Sequence, residues 1–195
     1  MTRVDTVVRQ NDSVDSLRGK LLVASPAITD PNFRRAVVLI AEHSADGAMG
    51  VVLDRVSEAT VGDVVGGLSW LAGDDAEVFV GGPVATTSVT VLAEFRDPAR
   101  AALLIEDDLG FIPAETEDEA GLAEAVARVR VFAGHAGWAP GQLEEELTDE
   151  GWIVAEALRE DCFTDDPEGL WEAVLRRQGG SFSLIATMPF DPSLN

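Results

Sequence analysis

The chain has no tyrosine, one cysteine, one lysine and two histidines in 195 residues. A lone Cys162 excludes an internal disulfide. With only His43 and His135 available, there is no HExxH or other paired-histidine spacing for a zinc site. Long apolar runs are missing too: the longest is the six residues from Ala36 to Ala41. A membrane-spanning helix needs roughly 20 apolar residues, so none is expected. The first 20 residues mix Arg3 and Arg9 with Asp5, Asp12 and Asp15 and carry no continuous apolar core, which is not the pattern of a secretory signal. A cytoplasmic location is the resulting expectation.

Bases are scarce and unevenly placed. Fourteen Lys and Arg face 35 Asp and Glu, a net charge of −21. Residues 61–195 hold 7 bases and 27 acids, so −20 of that charge lies in the later part of the chain. Phosphate backbones are bound by several Lys and Arg that displace counterions. Direct DNA binding is therefore disfavoured, and the only adjacent basic pairs, Arg34-Arg35 and Arg176-Arg177, are a thin footprint.

What is present describes a globular domain. The hydrophobic fraction is 46% and the charged fraction 25%, and a chain this long can remove roughly 70% of its unfolded surface from water. Residues 1–15 are polar and aperiodic and are expected to form a mobile arm, leaving 16–195 as a single domain. Strands are expected at Lys20–Ser25 and Ala36–His43, and Asp46-Gly47 supplies a turn into Met49–Asp54. Thr60 is placed to cap a short helix. Further strands read at Glu77–Gly82, Ser88–Phe95 and across Ala101–Pro113, followed by a helix over Thr116–Ala127. VRVFAGHA is a strand, and PGQLEEEL opens a helix with Pro140 in its first turn. WIVAEAL has an ambiguous period. Asp166 caps a last helix, which Gly179 and Gly180 terminate. Hairpin signals early and strand-to-helix signals late imply an α+β fold with a mixed sheet.

No complete catalytic signature accompanies this pattern. Gly81, Gly82 and Pro83 follow a strand, where glycines serve either to open backbone N–H groups to a ligand or to satisfy a turn. Neither the Walker ending nor the three-glycine dinucleotide fingerprint is present. His43 and His135 each end a strand and could reach one rim of the sheet; a metal site would need a carboxylate such as Glu42 or Asp54 beside them. Glu160 and Asp161 precede Cys162 and oppose thiolate formation, so a Cys-His hydrolase is disfavoured. Trp138 lies between Gly137 and Pro140 where the chain turns from strand to helix, and can wall a pocket into which Gln142, one turn on, could present its amide.

At these residues the chain resembles the YqgE/AlgH family of bacterial proteins over roughly residues 17–180, through GKLLVASPAITDPNFRRAVVLIAEHSADGAMGVVLD, FVGGPV and VFAGHAGWAPGQLEEELTDEGW. The resemblance implies one domain whose mixed sheet folds into a barrel-like core flanked by helices. It brings members labelled as transcriptional regulators and no established catalytic residues. Mapped onto this chain it marks His43, Asp46, Gly47, Gly50, Gly81, Gly82, Pro83, Trp138 and Gln142. Two departures stand out: Asp54-Arg55-Val56 replaces the family's usual Asn-Arg/Lys-Pro, and His135 stands where tyrosine is common.

The expected function is that of a non-catalytic regulatory protein that binds a small ligand or a protein partner and acts on transcription only indirectly. No cofactor, metal or membrane is called for. The expected site comprises His43, Gly81, Gly82, Pro83, His135, Trp138 and Gln142. The rival is a hydrolase using His43 or His135 beside the Gly81-Gly82-Pro83 turn.

Overall fold

The computed structural model describes residues 16–188, and the arm expected at 1–15 lies outside the described residues. Ten strands run in chain order as β1 (Lys20–Ala24), β2 (Val37–Ser44), β3 (Gly47–Val52), β4 (Val56–Thr60), β5 (Glu77–Val80), β6 (Val84–Phe95), β7 (Leu103–Glu106), β8 (Leu109–Phe111), β9 (Val126–Trp138) and β10 (Trp152–Glu156). The helices are short: α1 (Val61–Val65), α2 (Ser69–Ala72), α3 (Glu119–Ala125), α4 (Gln142–Thr148), α5 (Arg159–Cys162), α6 (Leu170–Gln178) and α7 (Gly180–Ile185). No helix among the described residues is long and apolar enough to cross a membrane.

The order across the sheet is β10-β1-β2-β3-β9-β6-β8-β7, with β5 set between β4 and β9. Neighbours are antiparallel except β5 and β9, which run parallel and make the sheet mixed. β9 is the hub. Its first part lies between β5 and β6, and its last three residues pair with β3 through Ala48↔Trp138 and Gly50↔Ala136.

The uninterrupted apolar run in the sequence has a structural cause: β2 is covered on both faces, so alternation has nothing polar to alternate with. Val37, Leu39 and Ala41 face one core, and Ala36, Val38 and Ile40 face another. The first core also takes Phe79, Leu92, Leu109, Phe111 and Phe132 from the other half of the sheet, and Trp171, Val174 and Leu175 from α6. One cluster lined by both halves means that the sheet curls around it. The second core lies on the outer face of β1–β3 and is covered by Leu143 and Leu147 of α4 together with Phe33. A third, around Val78, Val91 and Val131, lies under α1 and α2.

The curl does not close by backbone pairing, since β10 and β7 end the order. Side chains hold the seam. Arg159, just beyond β10, donates from Nε to Asp108 (2.8 Å) and from Nη1 to Glu106 (3.5 Å) at the β7–β8 turn. Gly19, just before β1, lies so close to Glu106 that an added Cβ would sit 2.6 Å from its Oε1.

Several expectations shift at the edges. The helix expected over Thr116–Ala127 is confined to α3, because Val126 already pairs with Phe95 as the start of β9. WIVAEAL is a strand, paired with β1 from Lys20↔Glu156 to Ala24↔Trp152. Pro140 stands outside α4, whose cap is Gly141 in a left-handed conformation (φ 77°) that the strand-to-helix reversal requires. Gly179 ends α6, yet a further helix, α7, begins at Gly180. Thr60 caps α1 as expected, through a reciprocal bond with Asp63.

Candidate functional site

The sheet end at which β9 reverses into α4 carries a cleft with an aromatic wall. Glu146 and Gln142 are one turn apart on α4 and therefore neighbours. Gln142 Nε2 donates to Glu146 Oε1 (2.9 Å) and Gln142 Oε1 accepts from the Ala139 N–H (3.0 Å). The amide is thus committed to holding the turn and does not project freely into the cleft. The other oxygen, Glu146 Oε2, accepts from both indoles, Trp138 Nε1 at 2.9 Å and Trp152 Nε1 at 2.7 Å. One carboxylate fixes two tryptophans from different strands.

The indoles lie 6.0 Å apart, edge to face at 75°. Phe33, from the loop between β1 and β2, completes the triad at 5.8 Å from Trp152 and 6.3 Å from Trp138. Such geometries suit aromatic quadrupoles. Both tryptophans are 6% exposed, and the cleft above them, about 440 Å³, is bordered by Asp30, Glu146 and Asp149. Phe33, Glu146 and Trp152 were not among the residues expected from sequence.

His43 is a clamp rather than a proton shuttle. Its side chain is 2% exposed, Nδ1 accepts from the Leu17 N–H (3.0 Å), and Nε2 meets Glu144 Oε1 (2.8 Å). An accepting Nδ1 places the proton on Nε2, which donates to the carboxylate. The Glu144 carboxyl is held below its usual range, first by its own backbone N–H and then by His43. Both ring nitrogens are occupied by the protein itself.

His135 lies on the other face of the sheet. Trp138 pairs with Ala48, which pairs with His43, so these three share a face. His135 is three residues from Trp138 along the same strand, and alternation turns it away. Its imidazole makes no hydrogen bond among the described residues. The structure therefore does not bring the two histidines together.

The Gly81-Gly82-Pro83 turn is a crossing of backbones. The Gly81 N–H donates to Ala133 O (2.8 Å) and Gly81 O accepts from the Val52 N–H (2.9 Å). Gly82 has φ +148°, and a side chain there would be driven into the backbone of His135 and Ala136. The Gly81 N–H is already used, so an anion has no claim on it. Of the residues expected to form the site, Trp138 and Gln142 converge on one cleft, His43 borders the adjacent one with Trp138, and the glycines and His135 support the sheet elsewhere.

Burial alters the acidity of Asp54 and Cys162. Asp54, 6% exposed, accepts from the Val37 N–H (3.2 Å) and pairs with Arg55 (2.9 Å). Burial outweighs these contacts and raises its carboxyl to about 6. The Cys162 thiol, wholly buried, is pushed up to about 12 by burial and then by Asp161. That removes it as a nucleophile at neutral pH.

A family profile described as AlgH-like matches residues 21–183. A UPF0301 protein of Streptomyces coelicolor is 47% identical over 188 residues, covering 93% of this chain and 97% of that protein. A crystal structure of a Corynebacterium diphtheriae protein superposes with a TM-score of 0.78 at 32% identity, covering 87% of this chain and 91% of the other. The solution structure of the AlgH protein from Pseudomonas aeruginosa gives 0.68 at 28% identity, covering 97% and 98%. With its profile match spanning most of the fold, the chain belongs to the AlgH-like family.

Proposed function

We propose that this is a cytoplasmic, non-catalytic binding protein whose ligand or partner occupies the Phe33–Trp138–Trp152 cleft, and that any influence on transcription is indirect. The carrying observation is Glu146, which locks two indoles in place. A carboxylate so placed holds the aromatic wall of a surface opening rigid, which is the preorganisation a binding site needs. The net charge of −20 over residues 61–195 supports a partner other than DNA. The hydrolase reading draws no support from an imidazole with both nitrogens engaged and another on the opposite face.

The four tryptophans give a direct assay, because Trp70 and Trp171 lie outside the cleft. In ¹⁵N-labelled protein titrated with a cocktail of small metabolites, a ligand should move the indole N–H resonances of Trp138 and Trp152 and leave those of Trp70 and Trp171 in place. Ligands that bind without moving either cleft indole would refute the assignment. A gel-shift titration at near-physiological salt should give no sequence-specific DNA complex, and tight operator binding would refute the indirect role.

A further inference from the structure

We propose that the cleft receives an arginine side chain presented by a basic segment of a partner protein, an inference that rests on the binding role assigned to that cleft. Three carboxylates border it, Asp30, Glu146 and Asp149, and among the described residues no Lys, Arg or His does. Glu146 is held by three N–H donors, two of them indole, which fix its carboxylate against the rings. Asp30 uses Oδ1 for the Asn32 backbone and side-chain N–H groups, and its Oδ2 takes no hydrogen bond among the described residues. The Asp149 carboxylate has neither hydrogen bond nor ion pair among the described residues. Negative charge beside aromatic faces, uncompensated within the cleft, is complementary to a cation.

The cation best matched is a guanidinium. It is planar and weakly hydrated, packs against an aromatic ring, here the half-buried Phe33 backed by the two indoles, and presents paired N–H donors to carboxylates. An ammonium would keep more of its water and could not stack. Arginine buried against tryptophan is also a frequent energetic centre of protein interfaces. A protein segment is favoured over a free small cation because the negative surface continues beyond the cleft: Glu145 and Glu150, flanking Glu146 and Asp149 in sequence, are both exposed. A neighbouring basic residue on the same segment would find them.

The test uses the full chain, ¹⁵N-labelled, and an acetylated and amidated peptide carrying two arginines, against the same peptide with citrulline in their place. The arginine peptide should shift the Trp138 and Trp152 indoles, with citrulline weakening binding at least tenfold. Asp30→Asn with Asp149→Asn should also weaken it at least tenfold. Asp74→Asn with Asp75→Asn removes as much charge from an exposed turn elsewhere and should change it less than twofold. Equal weakening by the two double variants would mean non-specific attraction and overturn the inference. Equal affinity for the citrulline peptide would overturn the cation while leaving a binding cleft. If neither peptide moves the cleft indoles but a metabolite does, the inference fails and the binding role stands.

Discussion

Replacing Asp54 with asparagine should make the protein more stable at neutral pH and leave its stability in acid unchanged. The folded protein raises this carboxyl from 3.8 to about 6, because burial disfavours the anion by more than Arg55 and the Val37 N–H favour it. The folded state therefore keeps its proton over a range where the unfolded chain has lost it. Below about pH 4 both states are protonated and the group has no effect. As pH climbs to about 6 the unfolded state binds fewer protons than the folded one, and stability declines across that window. Roughly two pH units at about 1.4 kcal/mol each give a loss of about 3 kcal/mol by pH 7. Asparagine keeps an oxygen for the Val37 N–H without the charge, and the one-third exposed Arg55 can turn to solvent. Asp54→Asn should thus gain about 3 kcal/mol at pH 7, or about 6–12 °C in Tm for a domain of this size. Urea denaturation of both proteins from pH 4 to 8 isolates the difference from all other titrations. A difference that is flat with pH, or a variant less stable at pH 7 than at pH 4 relative to the parent, would refute the reasoning.

His43→Ala should cost about 2 kcal/mol by orphaning the Leu17 N–H and releasing Glu144, with faster amide exchange at Leu17 as its local signature. Gly82→Ala should destabilise by about 3 kcal/mol or more, or fail to fold, since the new methyl meets backbone that cannot yield; a variant with parental Tm would contradict the crossing described above. Native protein at pH 8 should leave Cys162 untouched by an aromatic disulfide reagent, and guanidinium should expose one thiol per chain.

Much of the sheet was readable from local pattern. β1, β2 and β3 announce themselves through β-branched runs and the Asp46-Gly47 turn, because strand periodicity and turn chemistry are properties of adjacent residues. Helix ends were less legible where a strand competed: Val126 continues a helical spacing in sequence, but its pairing with Phe95 decides the matter. The cleft was half visible. Trp138 and Gln142 belong to one short segment, and Gln142 with Glu146 at helical spacing was a signal available there. Phe33 and Trp152 join only because β1 pairs with β2 on one side and β10 on the other, a long-range outcome. The glycine turn looked alike whether it served a ligand or a crossing strand, and only its partners distinguish the two.

The imidazole of His43 grips two distant parts of the chain at once, Leu17 by one nitrogen and α4 by the other. That same helix carries Gln142 and Glu146, the anchors of the indoles. An occupant that displaces α4 must therefore either drag the amino-terminal entry of the fold with it or snap one of those two bonds. Leu17, ahead of the first strand, is in this way mechanically coupled to whatever settles more than a hundred residues downstream.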